Sequence, residues 1–151
     1  MLINVLSCEY VINHKLLQKL YAIEINSKLI DFIRSYLDTR VQYVQIDNHC
    51  SDTLPVTSGV PQGSVLGPIL FLLYVNDIVS ALDPEIKVKL FADDCVLYTT
   101  IKSQADQTRL NDNLKNISSW CENWGMVSNV NKCSVLRVCN KPQTLAKALR
   151  D

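Results

Sequence analysis

The sequence has little glycine and no excess of either charge. Only four of its 151 residues are glycine, and 15 lysine and arginine residues balance 15 aspartate and glutamate residues, so the formal net charge is zero. A strongly basic composition, the usual mark of a protein that binds nucleic acid by itself, is therefore missing. A local excess remains from Lys132 to Asp151, where five basic residues stand against one acidic residue, a net charge of +4.

Several other features are also missing. The six cysteines form no C-x-x-C pair and the two histidines lie far apart, which argues against a zinc finger. No basic stretch follows Met1, and the longest apolar run, residues 65–75, is broken by Gly67 and Pro68. We therefore expect neither a signal peptide nor a membrane span. The expected location is intracellular, cytoplasmic or nuclear, where thiols stay reduced.

The composition fits one packed domain, because 48% of the residues are hydrophobic and 20% are charged. Apolar residues at helical spacing predict helices at 14–22, 28–37, 69–82 and, after a capping box at Ser103 and Asp106, up to about Gly125. Alternating or β-rich runs predict strands at 40–46, 88–92, 95–100, 126–129 and 134–138. This order of elements predicts an α+β fold in which an antiparallel sheet packs against helices.

The helix predicted at 69–82 is apolar on nearly every face. Ser64 can cap its start, and Pro68 is tolerable near its first turn. Because the helix has no polar face to give to solvent, we expect five of its side chains to be mostly buried. These are Ile69, Phe71, Leu72, Leu73 and Val75.

The first candidate for chemistry is the pair Asp93-Asp94, which joins two β-rich runs. Two adjacent carboxylates repel each other and are costly among apolar residues unless a counter-charge is present. At a tight hairpin bend, Mg²⁺ could neutralise them and keep sites for water and phosphate. An ordinary solvated turn is the better explanation of the dipeptide alone, since aspartate is common in turns.

The second candidate is the stretch from Ser58 to Ser64, which reads SGVPQGS. Two glycines and a proline fix a bend ahead of the apolar helix, so a phosphate or base pair could approach the backbone closely. Gln62 can offer both a donor and an acceptor. A structural loop with a helix cap explains this stretch equally well when it is taken alone.

The two segments are more specific together and in this order. Residues 56–71 read VTSGVPQGSVLGPILF, residues 74–78 read YVNDI, and residues 90–94 read LFADD. This pattern resembles the reverse transcriptase domain of LINE-like, non-LTR retrotransposons. The similarity runs from about His14 to Val138, and the first stretch favours this group over the intron-encoded and telomere-type enzymes that share the aspartate hairpin.

The resemblance implies a polymerase palm and a role for each matched residue. Phe91-Ala92-Asp93-Asp94 corresponds to the family's hairpin, in which the first aspartate ligates the catalytic metals and the second supports it. Pro61-Gln62-Gly63 corresponds to the loop that lies against the incoming nucleotide and the templating pair. The resemblance thus assigns Asp93 and Asp94 to two Mg²⁺ ions, and Pro61, Gln62, Gly63, Phe91 and Ala92 to the nucleotide.

Four further residues fall in matched stretches. Lys132 corresponds to a lysine thought to protonate the departing pyrophosphate, although a surface lysine at the end of a loop is an equally good interpretation. Asp77 is better explained as a carboxylate at a helix end than as a metal ligand. Trp120 and Trp124 are most simply core residues.

The sequence departs from the family at its N-terminal end. The family's first catalytic strand ends in Ala-Phe-Asp-x-Val-Asn/Asp-His, and alignment of that histidine with His14 puts Tyr10 where the third carboxylate belongs. Glu9 is not expected to replace it, because a shift of one residue in a strand turns the side chain to the other face. We therefore divide the chain into an atypical segment 1–13, a palm fragment 14–138 and a frayed tail 139–151.

The resemblance implies a fragment of an RNA-directed DNA polymerase that would act on an RNA template, a DNA primer and deoxynucleotides, with no membrane partner. The fingers and thumb of a longer polyprotein are expected to be missing, so the chain is expected to be inactive alone. One alternative is that the chain misrepresents a longer, active enzyme. Another is a non-catalytic nucleic-acid-binding or scaffold module derived from a palm.

Overall fold

The computed structural model describes residues 2–4, 7–128 and 130–139. Within them the strands are β1 (Leu2–Asn4), β2 (Val41–Gln42), β3 (Gln45–Ile46), β4 (His49–Cys50), β5 (Leu54–Pro55), β6 (Lys87–Phe91) and β7 (Asp94–Tyr98). The helices are α1 (Asn13–Ala22), α2 (Ser27–Leu37), α3 (Leu66–Val75) and α4 (Gln104–Trp124). Three 3-10 segments cover Cys8–Tyr10, Asn76–Ala81 and Val130–Lys132. Apart from Cys139, the tail expected at 139–151 lies outside the described residues, as does Asn129.

The mixed α and β architecture is confirmed, with helices beside small antiparallel sheets. α1 and α2 begin within one residue of their expected starts. α4 begins with the expected capping box, in which the Ser103 hydroxyl accepts from Asp106 N–H and the Asp106 carboxylate accepts from Ser103 N–H. It ends at Gly125, whose φ of +69° is left-handed backbone that glycine adopts without steric cost.

The largest sheet has the strand order β1-β7-β6 and is antiparallel throughout. β6 and β7 form the expected hairpin, which pairs Phe91 with Asp94. On β7, Cys95 and Leu97 are fully buried and join the core with Ile117 and Cys121 of α4. Because strand residues alternate between faces, Asp94 lies on the face away from this core.

The expectation that α3 is buried on nearly all sides is wrong. Phe71 and Val75 are buried and Leu73 is half-buried, but Ile69 is 49% exposed and Leu72 is 51% exposed. The helix also ends earlier than expected and continues as the 3-10 segment 76–81. The sequence shows an apolar surface on α3, but it does not show whether other elements of the fold cover that surface.

Two other expectations need correction. The strand expected at 40–46 and the loop after it form a two-stranded arm, in which β2 pairs with β5 and β3 pairs with β4. All four of these short strands are exposed.

The prediction of strands at 126–129 and 134–138 is wrong, because described residues 126–128 are irregular and Ser134 makes only an isolated bridge. Short apolar runs predict strands weakly when no partner strand is known.

Lys19 of α1 is a buried charge that joins three helices. Its Nζ donates to the carbonyl oxygen of Tyr74, at 2.5 Å, and to the carboxylate of Asp77. The same atom lies 3.7 Å from the centre of the Trp124 ring and 4.6 Å from that of Trp120. Burial lowers the pKa of Lys19, and the hydrogen bond to Asp77 opposes that shift. α1 is thereby attached to the C-terminal ends of α3 and α4.

In the part of the chain that the structure describes, no helix combines the length and the apolar character needed to span a bilayer.

Candidate functional site

The acidic pair lies at the bend of the β6–β7 hairpin, as expected from the sequence. Ala92 and Asp93 form the two-residue turn, and Asp94 is the first residue of β7. Ala92 has a φ of +49°, an uncommon conformation for a residue with a side chain. Asp93 is exposed, Asp94 is half-buried and Phe91 is 82% exposed. The carboxylates are therefore open to a solvated ion.

Basic residues line the same face of the hairpin. In the β6–β7 register Lys89 pairs with Val96, one position along this face from the pair Phe91 and Asp94. Diagonal neighbours on one face of an antiparallel pair lie roughly 7–8 Å apart between their Cα atoms, which long side chains can bridge. Lys89 therefore supplies a nearby positive charge that offsets part of the repulsion between the aspartates.

The glycine-rich loop is attached to the N-terminal segment by backbone hydrogen bonds. Gly59 N–H donates to the carbonyl oxygen of Val11 at 2.7 Å, and Val60 N–H donates to that of Cys8 at 3.1 Å. Gly59 has a φ of +82°, and a Cβ there would lie 3.2 Å from the Cα atom of Glu9. Only a residue without a side chain allows the loop to approach residues 8–9 this closely.

Ser64 links this loop to α3. Its hydroxyl donates to the carbonyl oxygen of Pro61 at 2.7 Å and accepts from Gly67 N–H at 2.9 Å. The bend around Gln62 and Gly63 is therefore held at both ends, by residues 8–11 on one side and by the start of α3 on the other. Gly63 itself has a φ of +74° with open space beside it.

The side chain of Gln62 turns back to the N-terminal segment. Its Nε2 donates to the Glu9 carboxylate at 3.3 Å and lies 3.6 Å from the Cys8 sulfur. From the sequence, Gln62 is expected to contact a nucleotide and Glu9 is expected to have no part in the site. Glu9 lies five residues after β1 and belongs to no sequence motif, so only the fold identifies this pair.

Three of the expected site segments contact the N-terminal part of the chain, at β1 or at residues 8–11. Asn4 of β1 pairs with Asp94, and the Gly59–Val60 backbone pairs with residues 8–11. β1 also lies close to the 3-10 segment 130–132, which ends in the exposed Lys132. The hairpin and the segment that ends in Lys132 are therefore neighbours of β1, whereas the loop is a neighbour of residues 8–11.

Tyr10, which the alignment puts in place of the third carboxylate, lies in the 3-10 segment 8–10 and is 42% exposed. The residue of β1 that pairs directly with Asp94 is Asn4. Among the described residues no group of three histidine, cysteine, aspartate or glutamate side chains is placed to hold a metal ion. The two hairpin carboxylates fit one hard divalent ion that keeps most of its water ligands, as Mg²⁺ commonly does.

A separate open cavity of about 640 Å³ lies between residues 81–83 and the first half of α4. Thr108, Arg109 and Asn113 contribute to its walls. No residue expected in the site lines it, and Asn113 is already satisfied by hydrogen bonds to the backbone of Asp83 and Arg109. This cavity has no connection with the acidic hairpin.

The acidic hairpin and the glycine-bounded loop both lie in the part of the chain that matches a known protein family. Residues 10–146 match the family described as Reverse transcriptase (RNA-dependent DNA polymerase). The chain belongs to this family, as a reverse transcriptase domain of the non-LTR retrotransposon type.

The relatives are polymerases of mobile elements. The chain is 34% identical over 116 residues, 72% of its length, to the RNA-directed DNA polymerase from mobile element jockey of Drosophila melanogaster. It is 27% identical over 134 residues, 84% of its length, to the jockey polymerase of Drosophila funebris. It is 34% identical over 104 residues, 66% of its length, to the "Probable RNA-directed DNA polymerase from transposon X-element" of Drosophila melanogaster. The chain spans 13%, 14% and 12% of the lengths of these three relatives.

Proposed function

We propose that this chain carries part of the palm of an RNA-directed DNA polymerase, with the nucleotidyl-transfer site at the β6–β7 hairpin. The observation that supports the proposal is that the hairpin and the glycine loop both contact the N-terminal part of the chain: Asn4 pairs with Asp94, and Gly59 donates to Val11. Metal and nucleotide must share one pocket for the transfer to occur. The expected partners are an RNA template, a DNA primer and deoxynucleotides.

Each residue has a defined task in this proposal. Asp93 and Asp94 hold divalent metal. The metal would stabilise the negative charge on the entering and leaving oxygens of the transferred phosphate. Ala92 forms part of the hairpin turn, and the exposed Phe91 provides an apolar surface next to the nucleotide. The Pro61-Gln62-Gly63 bend lies against the nucleotide, and Lys132 donates a proton to the departing pyrophosphate.

We further propose that the chain alone does not extend a primer. Tyr10, which the alignment puts in place of the third carboxylate, does not supply the charged oxygen ligand that Mg²⁺ prefers. A site with few charged ligands binds Mg²⁺ weakly, because this ion gives up its water reluctantly. The zero net charge also provides little attraction for phosphate backbones.

The experiment compares metal binding and primer extension. Mn²⁺ is titrated by electron paramagnetic resonance into the wild type, Asp93→Asn and, as a matched control, Asp112→Asn on the exposed face of α4. We expect the affinity to fall severalfold for Asp93→Asn and to stay unchanged for Asp112→Asn. Equal binding by all three proteins would mean that the hairpin is only a turn.

Extension of a DNA primer on an RNA template is assayed in Mg²⁺ with the same proteins. We expect no product from the wild-type chain. Robust extension by the wild-type chain that is lost in Asp93→Asn would support the polymerase assignment. It would contradict the proposal that the chain alone is inactive. Salt-sensitive binding of nucleic acid that does not depend on Asp93 would instead favour a non-catalytic module.

A further inference from the structure

The Gln62 amide group is already engaged by the N-terminal segment. A glutamine side chain has one nitrogen that donates two hydrogens and one oxygen that only accepts. Here the nitrogen faces both the Glu9 carboxylate, at 3.3 Å, and the Cys8 sulfur, at 3.6 Å. Among the described residues no partner of the Gln62 oxygen is found. All of the donor capacity of this side chain is therefore directed at residues 8 and 9.

The orientation of the amide is fixed by chemistry. An ionised carboxylate can only accept hydrogen bonds, so Glu9 must face the Gln62 nitrogen and cannot face its oxygen. A hydrogen bond to a charged acceptor is also stronger than one between neutral groups. The backbone contacts of Gly59 and Val60 with residues 8–11 keep the two side chains near each other.

This arrangement opposes the binding of a nucleotide in two ways. Phosphate groups are negative and accept hydrogen bonds, so the Gln62 oxygen cannot bind them and its nitrogen is occupied. The Glu9 carboxylate adds a negative charge at the same loop, which repels the triphosphate.

We infer that Glu9 masks the nucleotide loop: it is a positioning residue that holds the Gln62 amide away from the phosphates of an incoming nucleotide, and the nucleotide must displace it. This inference rests on the proposed function, because it takes Pro61-Gln62-Gly63 as the nucleotide-binding bend. Substitutions that release Gln62 or remove the charge should therefore tighten nucleotide binding.

The test measures the affinity of the chain for deoxythymidine triphosphate with Mg²⁺, by nuclear magnetic resonance titration of the backbone amides of residues 59, 60, 62 and 63. Glu9→Ala removes both effects, and we expect affinity to rise about three- to tenfold, the range of one released hydrogen bond. Glu9→Gln removes the charge but can still accept from Gln62, so its gain should be smaller and should shrink at high salt. Glu122→Gln, at an exposed glutamate on α4, is the control and should leave affinity unchanged.

A double-mutant cycle separates the two parts of the argument. Gln62→Met removes the amide but keeps the length of the side chain. In that background Glu9→Ala should give a clearly smaller gain than in the wild type, because no donor remains to be released. Both residues are exposed, so the variants should fold, which their thermal unfolding curves would establish.

The possible results distinguish a failure of the masking by Glu9 from a failure of the proposed function of the loop. If Gln62→Met leaves nucleotide affinity unchanged in the Glu9→Ala background, where the Gln62 amide is released, or if the wild type does not bind the nucleotide, the proposed role of the loop is wrong and the inference fails with it. If binding depends on Gln62 but Glu9→Ala does not tighten it, the loop keeps its proposed role and the masking by Glu9 is refuted.

Discussion

Lys89 and Asp94 lie on the same face of the β6–β7 hairpin, diagonally across its ladder. The positive charge of Lys89 repels a metal ion held by the aspartates. We expect Lys89→Met to tighten Mn²⁺ binding roughly fivefold, the effect of removing a repulsion of about 1 kcal/mol in a partly screened site. Electron paramagnetic resonance titration measures this change. Lys87→Met, at the exposed lysine at the other end of β6, is the control, and an equal gain there would refute a local effect.

Gly59 and Gly63 provide a matched pair for the glycine loop. Both have positive φ, but a Cβ at Gly59 would crowd the backbone of Cys8 and Glu9, whereas Gly63 has open space within 4 Å. We expect Gly63→Ala to lower the free energy of unfolding by about 1 kcal/mol and Gly59→Ala by about 2–3 kcal/mol. Urea unfolding measures both. Equal losses would show that the close approach of the loop to residues 8–9 contributes nothing.

Lys19 and Lys115 test what burial adds to an ion pair. Lys19 is buried with Asp77 and two tryptophan rings, whereas Lys115 pairs with Asp112 on the exposed face of α4. We expect Lys19→Met to cost about 2–3 kcal/mol of unfolding free energy, below the usual loss for a fully buried pair because Asp77 is half-exposed. Lys115→Met should cost less than about 0.5 kcal/mol. Similar losses in urea unfolding would contradict a structural role for Lys19.

Two buried thiols predict a loss of stability at alkaline pH. Burial raises the pKa of Cys95 to about 11, with a smaller effect of the Cys121 thiolate, and burial likewise raises the pKa of Cys121 to about 11. Because an unfolded thiol ionises near pH 9, the unfolded state loses protons first, and the free energy of unfolding should fall as the pH rises from 9 to 11. The expected loss is roughly 2–3 kcal/mol per thiol, since one pKa unit corresponds to about 1.4 kcal/mol.

Urea unfolding at several pH values measures this loss, and the double variant Cys95→Ala, Cys121→Ala is compared with the wild type. The double variant should be less stable near pH 8 but should lose less stability between pH 9 and 11. Lys19 should act in the opposite direction, since its pKa is lowered on folding, so the Lys19→Met background isolates the thiol effect. A parallel decline in both proteins would mean that other groups cause the alkaline loss.

Local features of the fold were predictable from the sequence. The capping box at Ser103, the terminating Gly125 and the Asp93-Asp94 bend each depend on residues that are close neighbours along the chain. The order of the two motifs was also enough to identify the family, because it combines two weak patterns into a specific one.

The contacts between distant segments could not be predicted in this way. Glu9 beside Gln62, Asn4 opposite Asp94, and the rings around Lys19 join residues far apart in the sequence. Hydrophobicity alone did not show that Leu72 is exposed, since an apolar helix is buried only where other elements cover it. The roles of the site residues follow from resemblance and stay predictions for the experiments above.

The pairing of β1 with β7 also has a kinetic consequence. Residues 2–4 pair with residues 94–96, so most of the described chain lies between the partners, and closing so long a loop has a high entropic cost. Helices α1, α2 and α4 form from local contacts, and the strand pairing is expected to follow them. Pulsed hydrogen exchange during refolding would detect this order as late protection of the β1 amides, whereas protection as early as in α4 would contradict it. The acidic hairpin would then acquire its neighbour β1 late in folding, after helices α1, α2 and α4 have formed.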